Sequence, residues 1–330
     1  MTDAHRRQRE LWNAEHTTPN MVENMDHETP SIGVTRFWEW MTANGHASPS
    51  KMKGLEMGCG KGRNCIWLAE QGVAMTGFDF SDVALSEARK RAQAKHLTDG
   101  KLELREQDAT LTWPWPDNAF DIGIDCFAST DIENPEGRAF ARNEFMRVLK
   151  PGGLLFIYAI STRSPFHAEL LKTSPQRERN TYAHPSGKVD KIYDEREVKK
   201  FYSSFMLREF ETIRKLKGGI FYGKAHDCEN FWMIVEKPPM LNVPPELKNY
   251  FNHQRQMTSW PSKPKTQMLA LEFFAEKFAW EKKYTEKEVN DLLTAFHTFK
   301  DPALLRRELY MKRFLDRKLD GSEYWRTQKV

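Results

Sequence analysis

Three glycines fall within five residues, Gly58, Gly60 and Gly62, inside the stretch LEMGCGKGRNCIWLAEQG that begins at Leu55. Glycine costs backbone entropy inside regular structure, so such a cluster between an apolar run and a helical pattern points to a turn that something must approach closely. The run KGLEM before it reads as a strand, and ligands of open α/β sheets bind beyond the carboxyl ends of their strands. The N–H groups opening the next helix face the same space. The spacing is not that of a dinucleotide fingerprint, because Arg63 stands where GxGxxG needs its third glycine. Nor is it a P-loop, because Gly62 follows Lys61 where Ser or Thr is required.

From about residue 50 to 237 short apolar runs alternate with helical patterns, which predicts α/β units on a mostly parallel sheet. The expected strands are KGLEM, AMTGFD, LELREQD, FDIGIDC and LLFIYAI, with helices over 64–71, 83–95 and 136–149. MLREFETIRKLK and NFWMIVEK are expected to close the sheet as an antiparallel pair around a Gly-rich interval. The prolines of KPPMLNVPP and WPSKPK mark a linker over 238–265. Beyond it, a helix is expected over 266–278. A second helix carries a capping box, Thr285 with Glu288, and an apolar face of Val289, Leu292, Leu293 and Phe296. A third starts at Asp301 and Pro302, and a hairpin turns at Asp320-Gly321. The predicted fold is thus α/β, a doubly wound Rossmann-like seven-stranded sheet, with an N-terminal arm over 1–50 and a small, mainly helical, winged-helix-like domain over 266–330.

No run of about 18 apolar residues suggests a membrane span, and no apolar stretch follows the charged N-terminus, so no secretory signal is expected. The four cysteines, Cys59, Cys65, Cys126 and Cys228, lack CxxC spacing and read as cytoplasmic reduced thiols, with no metal site. The net charge of +4 is concentrated beyond residue 239, where Lys and Arg exceed Asp and Glu by 17 to 12. That excess is below the footprint expected of a nucleic-acid binder.

The stretch LEMGCGKGRNCIWLAEQGVAMTGFDFSDVALSEARKRA, followed in order by REQDAT, FDIGIDC and VLKPGGLLFIYAIS, resembles the cofactor half of class I S-adenosylmethionine-dependent methyltransferases. The resemblance implies that S-adenosyl-L-methionine is the cofactor and S-adenosyl-L-homocysteine the product. It places Glu56 near the methionine amino group, and Gly58, Cys59 and Gly60 along the methionine and ribose, with Arg63 and Asn64 opening the helix. Asp79, 19 residues past Gly60, would accept from both ribose hydroxyls. Phe80 would pack on the adenine, Asp108 and Ala109 would face its amino group, and Asp125 and Cys126 would lie beside the sulfonium methyl. Taken singly, Asp79 suits a helix cap and Asp108 a turn. The donor is already activated and transfer needs chiefly a near-attack arrangement, so a general base is needed only if the acceptor is protonated at working pH.

The acceptor is expected to be a small molecule, an anionic or carboxylate-bearing one on one reading, held by the long segment STRSPFHAELLKTSPQRERNTYAHPSGKVDKIYDE through Arg163, His167, Tyr182, His184 and Tyr193, with Tyr222 at another edge. A plain hydrophilic surface loop is the alternative. Trp12 and the arm either close over the cofactor or trail as a tail. Residues 266–327 resemble a small bacterial helix-turn-helix-like domain of unknown function, read here as a packing, dimer-forming or acceptor-recognising module. The other readings are a nucleic-acid or protein methyltransferase targeted by that domain, or a DNA-binding regulator sensing S-adenosylmethionine, using Arg306, Arg307, Lys312, Arg313, Arg317 and Lys318.

Overall fold

The apolar runs between the glycine turn and Pro238 assemble into one twisted sheet in the computed structural model, which describes residues 3–97, 100–238, 243–252, 256–280 and 282–327. The chain divides into two units, Met1–Pro238 and Pro239–Val330. The first begins with α1 (Asp3–Thr17), α2 (Ile32–Ala43), β1 (Lys53–Met57), α3 (Arg63–Glu70), β2 (Ala74–Asp79), α4 (Asp82–Ala94) and β3 (Leu102–Glu106). It continues with β4 (Phe120–Cys126), α5 (Pro135–Val148), β5 (Leu149–Ile160), α6 (Pro165–Thr173), β6 (Gln176–Glu178), β7 (Thr181–Ala183) and β8 (Val189–Lys191). It ends with α7 (Glu195–Phe201), β9 (Met206–Phe221) and β10 (Lys224–Glu236).

The sheet order is β3-β2-β1-β4-β5-β10-β9. The first five strands are parallel, and β10 runs antiparallel to both β5 and β9. Side chains of a strand alternate between faces, and β5 shows what that builds. Phe156 and Tyr158 join Phe37, Met41 and Trp232 in a core on one face. Leu155 and Ile157 join Phe78, Trp113, Phe145 and Phe231 on the other. Both faces are buried, as expected of near-continuous apolar strands.

The arm is neither a tail nor a separate layer. Asn13 Nδ2 donates to Asp82 Oδ1 at 2.9 Å, Ser81 Oγ donates to Asn13 Oδ1 at 2.7 Å, and Arg9 pairs with Glu106 at 2.7 Å, which seats α1 on the start of α4. Asn24 N donates to Ile220 O at 3.2 Å and Tyr222 N to Val22 O at 2.8 Å, stitching residues 22–24 to the β9–β10 turn. The long segment after β5 is likewise no open loop. It folds as α6, the antiparallel meander β6-β7-β8 and α7.

The second unit holds α8 (Pro264–Ala275), β11 (Lys283–Tyr284), α9 (Glu286–Ala295), α10 (Pro302–Met311), β12 (Leu315–Arg317) and β13 (Tyr324–Arg326). The capping box at Thr285 is formed, Asp301 caps α10 with Pro302 in its first turn, and β12 and β13 pair across Asp320-Gly321. The stretch 238–265 is not a free linker. Residues 239–242 and 253–255 lie outside the described set, but Leu247 and Met257 are fully buried in a core with Leu271, Phe274, Leu293 and Leu309. Proline blocked helix there without blocking burial, because Pro245–Tyr250 forms a 3-10 turn.

Candidate active site

The β1–α3 turn and the end of β2 meet directly. Gly60 N donates to Asp79 Oδ2 at 2.9 Å, and Ser81 N donates to Asp79 Oδ1 at 2.9 Å. Asp79 closes β2 and is buried, which raises its pKa above the ordinary carboxylate value despite those amides. Gly58 has φ +61°, and a Cβ there would stand 2.6 Å from the Ala128 methyl, so only glycine lets the turn pass. Gly62, at φ +83°, stands just before α3 in the same left-handed region.

Glu56 lies next to the last residue of β1. Asn64 Nδ2 donates to its Oε1 at 2.8 Å, and Asn64 Oδ1 in turn accepts from Ser31 N at 2.8 Å. Its other oxygen, Oε2, is buried with no hydrogen-bond partner among the described residues. Burial pushes the carboxyl up to about 7. A buried carboxylate oxygen without a partner is costly, and an ammonium group is the chemistry that satisfies it.

These groups open on a cavity of about 490 Å³. Eleven of the twelve expected cofactor residues line it: Glu56, Gly58, Cys59, Gly60, Arg63, Asn64, Asp79, Phe80, Asp108, Ala109 and Cys126. Asp125 does not. Its Oδ1 accepts from Ser129 N at 2.9 Å and its Oδ2 from Tyr202 Oη at 2.9 Å, on the opposite face of β4. Side chains alternate across β4, so Cys126 lines the cavity while the Asp125 carboxylate is turned to Ser129 and Tyr202.

Of the six expected acceptor residues, only His167 lines the cavity. Arg163 pairs with Glu229 at 2.7 Å and is largely exposed. Tyr193 is buried among Val198, Tyr202 and Phe205. Tyr182, His184 and Tyr222 stand behind His167 in a hydrogen-bonded row. The cations of the meander are matched by acids, Arg179 by Asp194 at 2.9 Å and Lys191 by Glu197 at 2.5 Å. The expected anion-binding loop is therefore largely neutralised, by Asp194 and Glu197 at its own C-terminal end and by Glu229 of β10.

Other lining residues gave no sequence signal or a faint one. Gln8, Trp12 and His16 form an i, i+4, i+8 stripe of α1 facing the cavity. His16 is held down to about 4 by burial and by the charges of Lys61 and Lys188. Lys188 is fully buried. Its Nζ pairs with Glu23, lies 3.5 Å from Asp131 and 3.6 Å from Asp190, and sits 4.9 Å from the Trp12 ring centre. Glu23, Asp131 and Asp190 together have the donor set of a cation site, and here the ammonium serves as their cation. Beyond Cys126 the wall is formed by Phe127, Tyr158, Phe221, Cys228 and Asn230. Phe127 holds a left-handed φ of +69° and its ring packs 4.7 Å from Tyr158, a strained backbone of the kind found beside ligand sites. Burial pushes Cys126 and Cys228 up to about 11, so both remain protonated thiols at neutral pH.

Residues 55–157 match the family profile described as a methyltransferase domain, and residues 256–326 match one described as an uncharacterized protein conserved in bacteria (DUF2087). An uncharacterized protein of Haemophilus influenzae is 33% identical over 141 residues, 42% of this chain and 55% of that protein. A ubiquinone/menaquinone biosynthesis C-methyltransferase of Roseobacter denitrificans is 31% identical over 137 residues, 41% of this chain and 53% of that enzyme. The chain thus spans about half the length of the curated relatives it matches. Among solved structures, a SAM-dependent methyltransferase from Methanosarcina mazei superposes with a TM-score of 0.51 at 22% identity, covering 60% of this chain and 97% of that one, and so shares the fold.

Proposed function

We propose that this chain is an S-adenosylmethionine-dependent methyltransferase acting on a small-molecule acceptor. The observation that carries the reading is the junction of the glycine turn with Asp79, backed by the partnerless oxygen of Glu56. Asp79 would hold the ribose hydroxyls, Glu56 the methionine ammonium, and Asp108 with Ala109 the adenine edge. When bound, the cofactor supplies a methyl group already activated by the sulfonium charge. The chain's own part is to hold that group, aim an acceptor at it and exclude water. Trp12 and His16 cover the cavity from α1, while Phe127, Tyr158 and Phe221 line it with aromatic side chains on the acceptor side.

The apolar and aromatic wall, together with the neutralised loop cations, supports an uncharged acceptor over the anionic one. In the second unit Arg306 pairs with Glu286 at 3.0 Å and Lys318 with Glu323 at 3.1 Å, which supports a small molecule over a polyanion. The relative from Roseobacter acts, by its name, in quinone biosynthesis, and a ring-bearing acceptor suits the same wall. Titration calorimetry with S-adenosylhomocysteine tests the reading. Asp79→Ala is expected to weaken binding about tenfold or more, the worth of hydrogen bonds to a charged group, and unchanged affinity would refute the assignment.

A further inference from the structure

The row behind His167 has a fixed direction. His167 Nδ1 lies 2.7 Å from Tyr182 Oη. Tyr182 Oη donates to Asp190 Oδ2 at 3.0 Å, and His184 Nε2 lies 2.9 Å from the same oxygen. A tyrosine hydroxyl has one hydrogen. Tyr182 gives it to Asp190, so its oxygen accepts from His167. Nδ1 of His167 therefore carries the hydrogen, and Nε2 keeps a lone pair. A carboxylate only accepts, so His184 donates through Nε2 and receives the Tyr222 hydroxyl, 2.9 Å away, at Nδ1. Lys188 and the donors around Asp190 hold its carboxyl well below the usual range, so the anion on which the row converges is permanent near neutrality. The result is a hydrogen-bonded path from the cavity wall at His167 to the half-exposed Tyr222.

We propose that His167 is the general base of the methyl transfer and that the acceptor is a neutral molecule whose nucleophilic oxygen or nitrogen carries a hydrogen; this rests on the cofactor reading above. The lone pair of that atom forms the new bond to the methyl carbon. The electron pair of the broken carbon–sulfur bond stays on sulfur, and the proton of the acceptor passes to His167 Nε2. The imidazolium so formed is stabilised by Asp190, 3.5 Å from Nδ1, and through Tyr182, the logic by which a buried carboxylate supports a catalytic histidine. The cavity also holds His27, on the arm, whose backbone carbonyl is held by Arg91 of α4; further basic groups on it are placed elsewhere. His16 stands against Gly60, and Glu56 lies on β1, both at the cofactor end. Asp131 is engaged by Lys188, and both thiols facing the acceptor wall are protonated. Tyr182 and His184 are positioning residues, setting the tautomer of His167 and anchoring Asp190.

Long-range proton–nitrogen NMR of the full chain at pH 8, without any ligand, reads the tautomers. The histidine signal lost in His167→Gln is expected to be of the Nδ1–H form; Tyr182→Phe is expected to keep it, since Asp190 stays 3.5 Å from Nδ1, and Asp190→Leu, which frees the Tyr182 hydroxyl to donate to Nδ1, is expected to convert it to Nε2–H. An Nε2–H form in the parent, or an unchanged form in a folded Asp190→Leu, overturns the proposal. Turnover is then measured with methyl-labelled cofactor and a panel of neutral phenols, hydroxyquinones and amino-heterocycles, with thiols and carbon acids as controls. His167→Gln is expected to lower kcat by about 10²–10⁴-fold with S-adenosylhomocysteine affinity unchanged, and Tyr182→Phe to lower kcat less with KM for the acceptor held. A His167→Gln variant as active as the parent, turnover confined to the controls, or an inert panel overturns it. Failure of the parent to bind S-adenosylhomocysteine is a different result and removes the cofactor reading itself.

Discussion

Glu56 shows how one residue couples binding to pH. Its carboxyl, buried at the end of β1, is pushed up to about 7 from an ordinary value of 4.5. A raised acid favours its neutral form in the fold, so the ligand-free protein loses the associated stability as the pH rises from about 4.5 through 7. An ammonium at Oε2 reverses that preference. The melting temperature of the free wild type, referred to Glu56→Gln, is expected to fall over that window, and saturation with S-adenosylhomocysteine is expected to abolish the fall. A difference that is flat with pH would remove Glu56 from the ammonium site. Asp125 and Cys126 give the complementary lesson. They are neighbours in sequence with the same expected role, but the strand turns one to Tyr202 and the other to the cavity.

At the scale of elements, α1 is the piece whose place decides whether the site is closed. It is tied to α4 through Asn13 and Arg9, and to the 133 loop by Gln8 Nε2, 3.0 Å from Glu133. Those links are polar and partly exposed, each worth about 1 kcal/mol or less, and they act beside the buried face of Trp12, Glu15 and His16; because that face covers the cavity, α1 is the element expected to open and close. Amide exchange across 3–17 is expected to slow on binding S-adenosylhomocysteine, while β4 and β5, at the centre of the sheet, stay unchanged. Equal protection of α1 with and without ligand would show that it is fixed rather than a cover. Trp12 links this cover to the acceptor side, because its ring meets the ammonium of Lys188.

At the scale of the molecule, each unit has its own core, with Leu271, Phe274, Leu293 and Leu309 at the centre of the second. Two melting transitions are therefore expected in calorimetry, and S-adenosylhomocysteine is expected to raise only the one belonging to residues 3–238. A single transition that moves as a whole would show the units to be energetically one. No helix among the described residues is long and apolar enough to cross a membrane.

What the sequence determined by itself was local. Strand and helix periodicity, the glycine turn, the Thr285 capping box and the Asp320-Gly321 hairpin are set by neighbours a few residues apart, and each can be read from composition and spacing. The carboxylate at the end of β2 was legible only through the family resemblance, since Asp79 taken singly suits a helix cap equally well. Tertiary structure alone decided what depends on contacts between distant segments. Lys188 finds Glu23 and Asp131 only once the meander is folded against the arm. The tautomer of His167 is set by Tyr182 and Asp190, 15 and 23 positions along the chain. The cations of the long segment looked free although Asp194 and Glu197 stand near them in sequence, because which acid meets which cation is set by the folded meander, and Glu23, Asp131 and Glu229 come from other segments. Charge, burial and hydrogen-bond direction belong to three-dimensional neighbours, and one-dimensional spacing does not carry them.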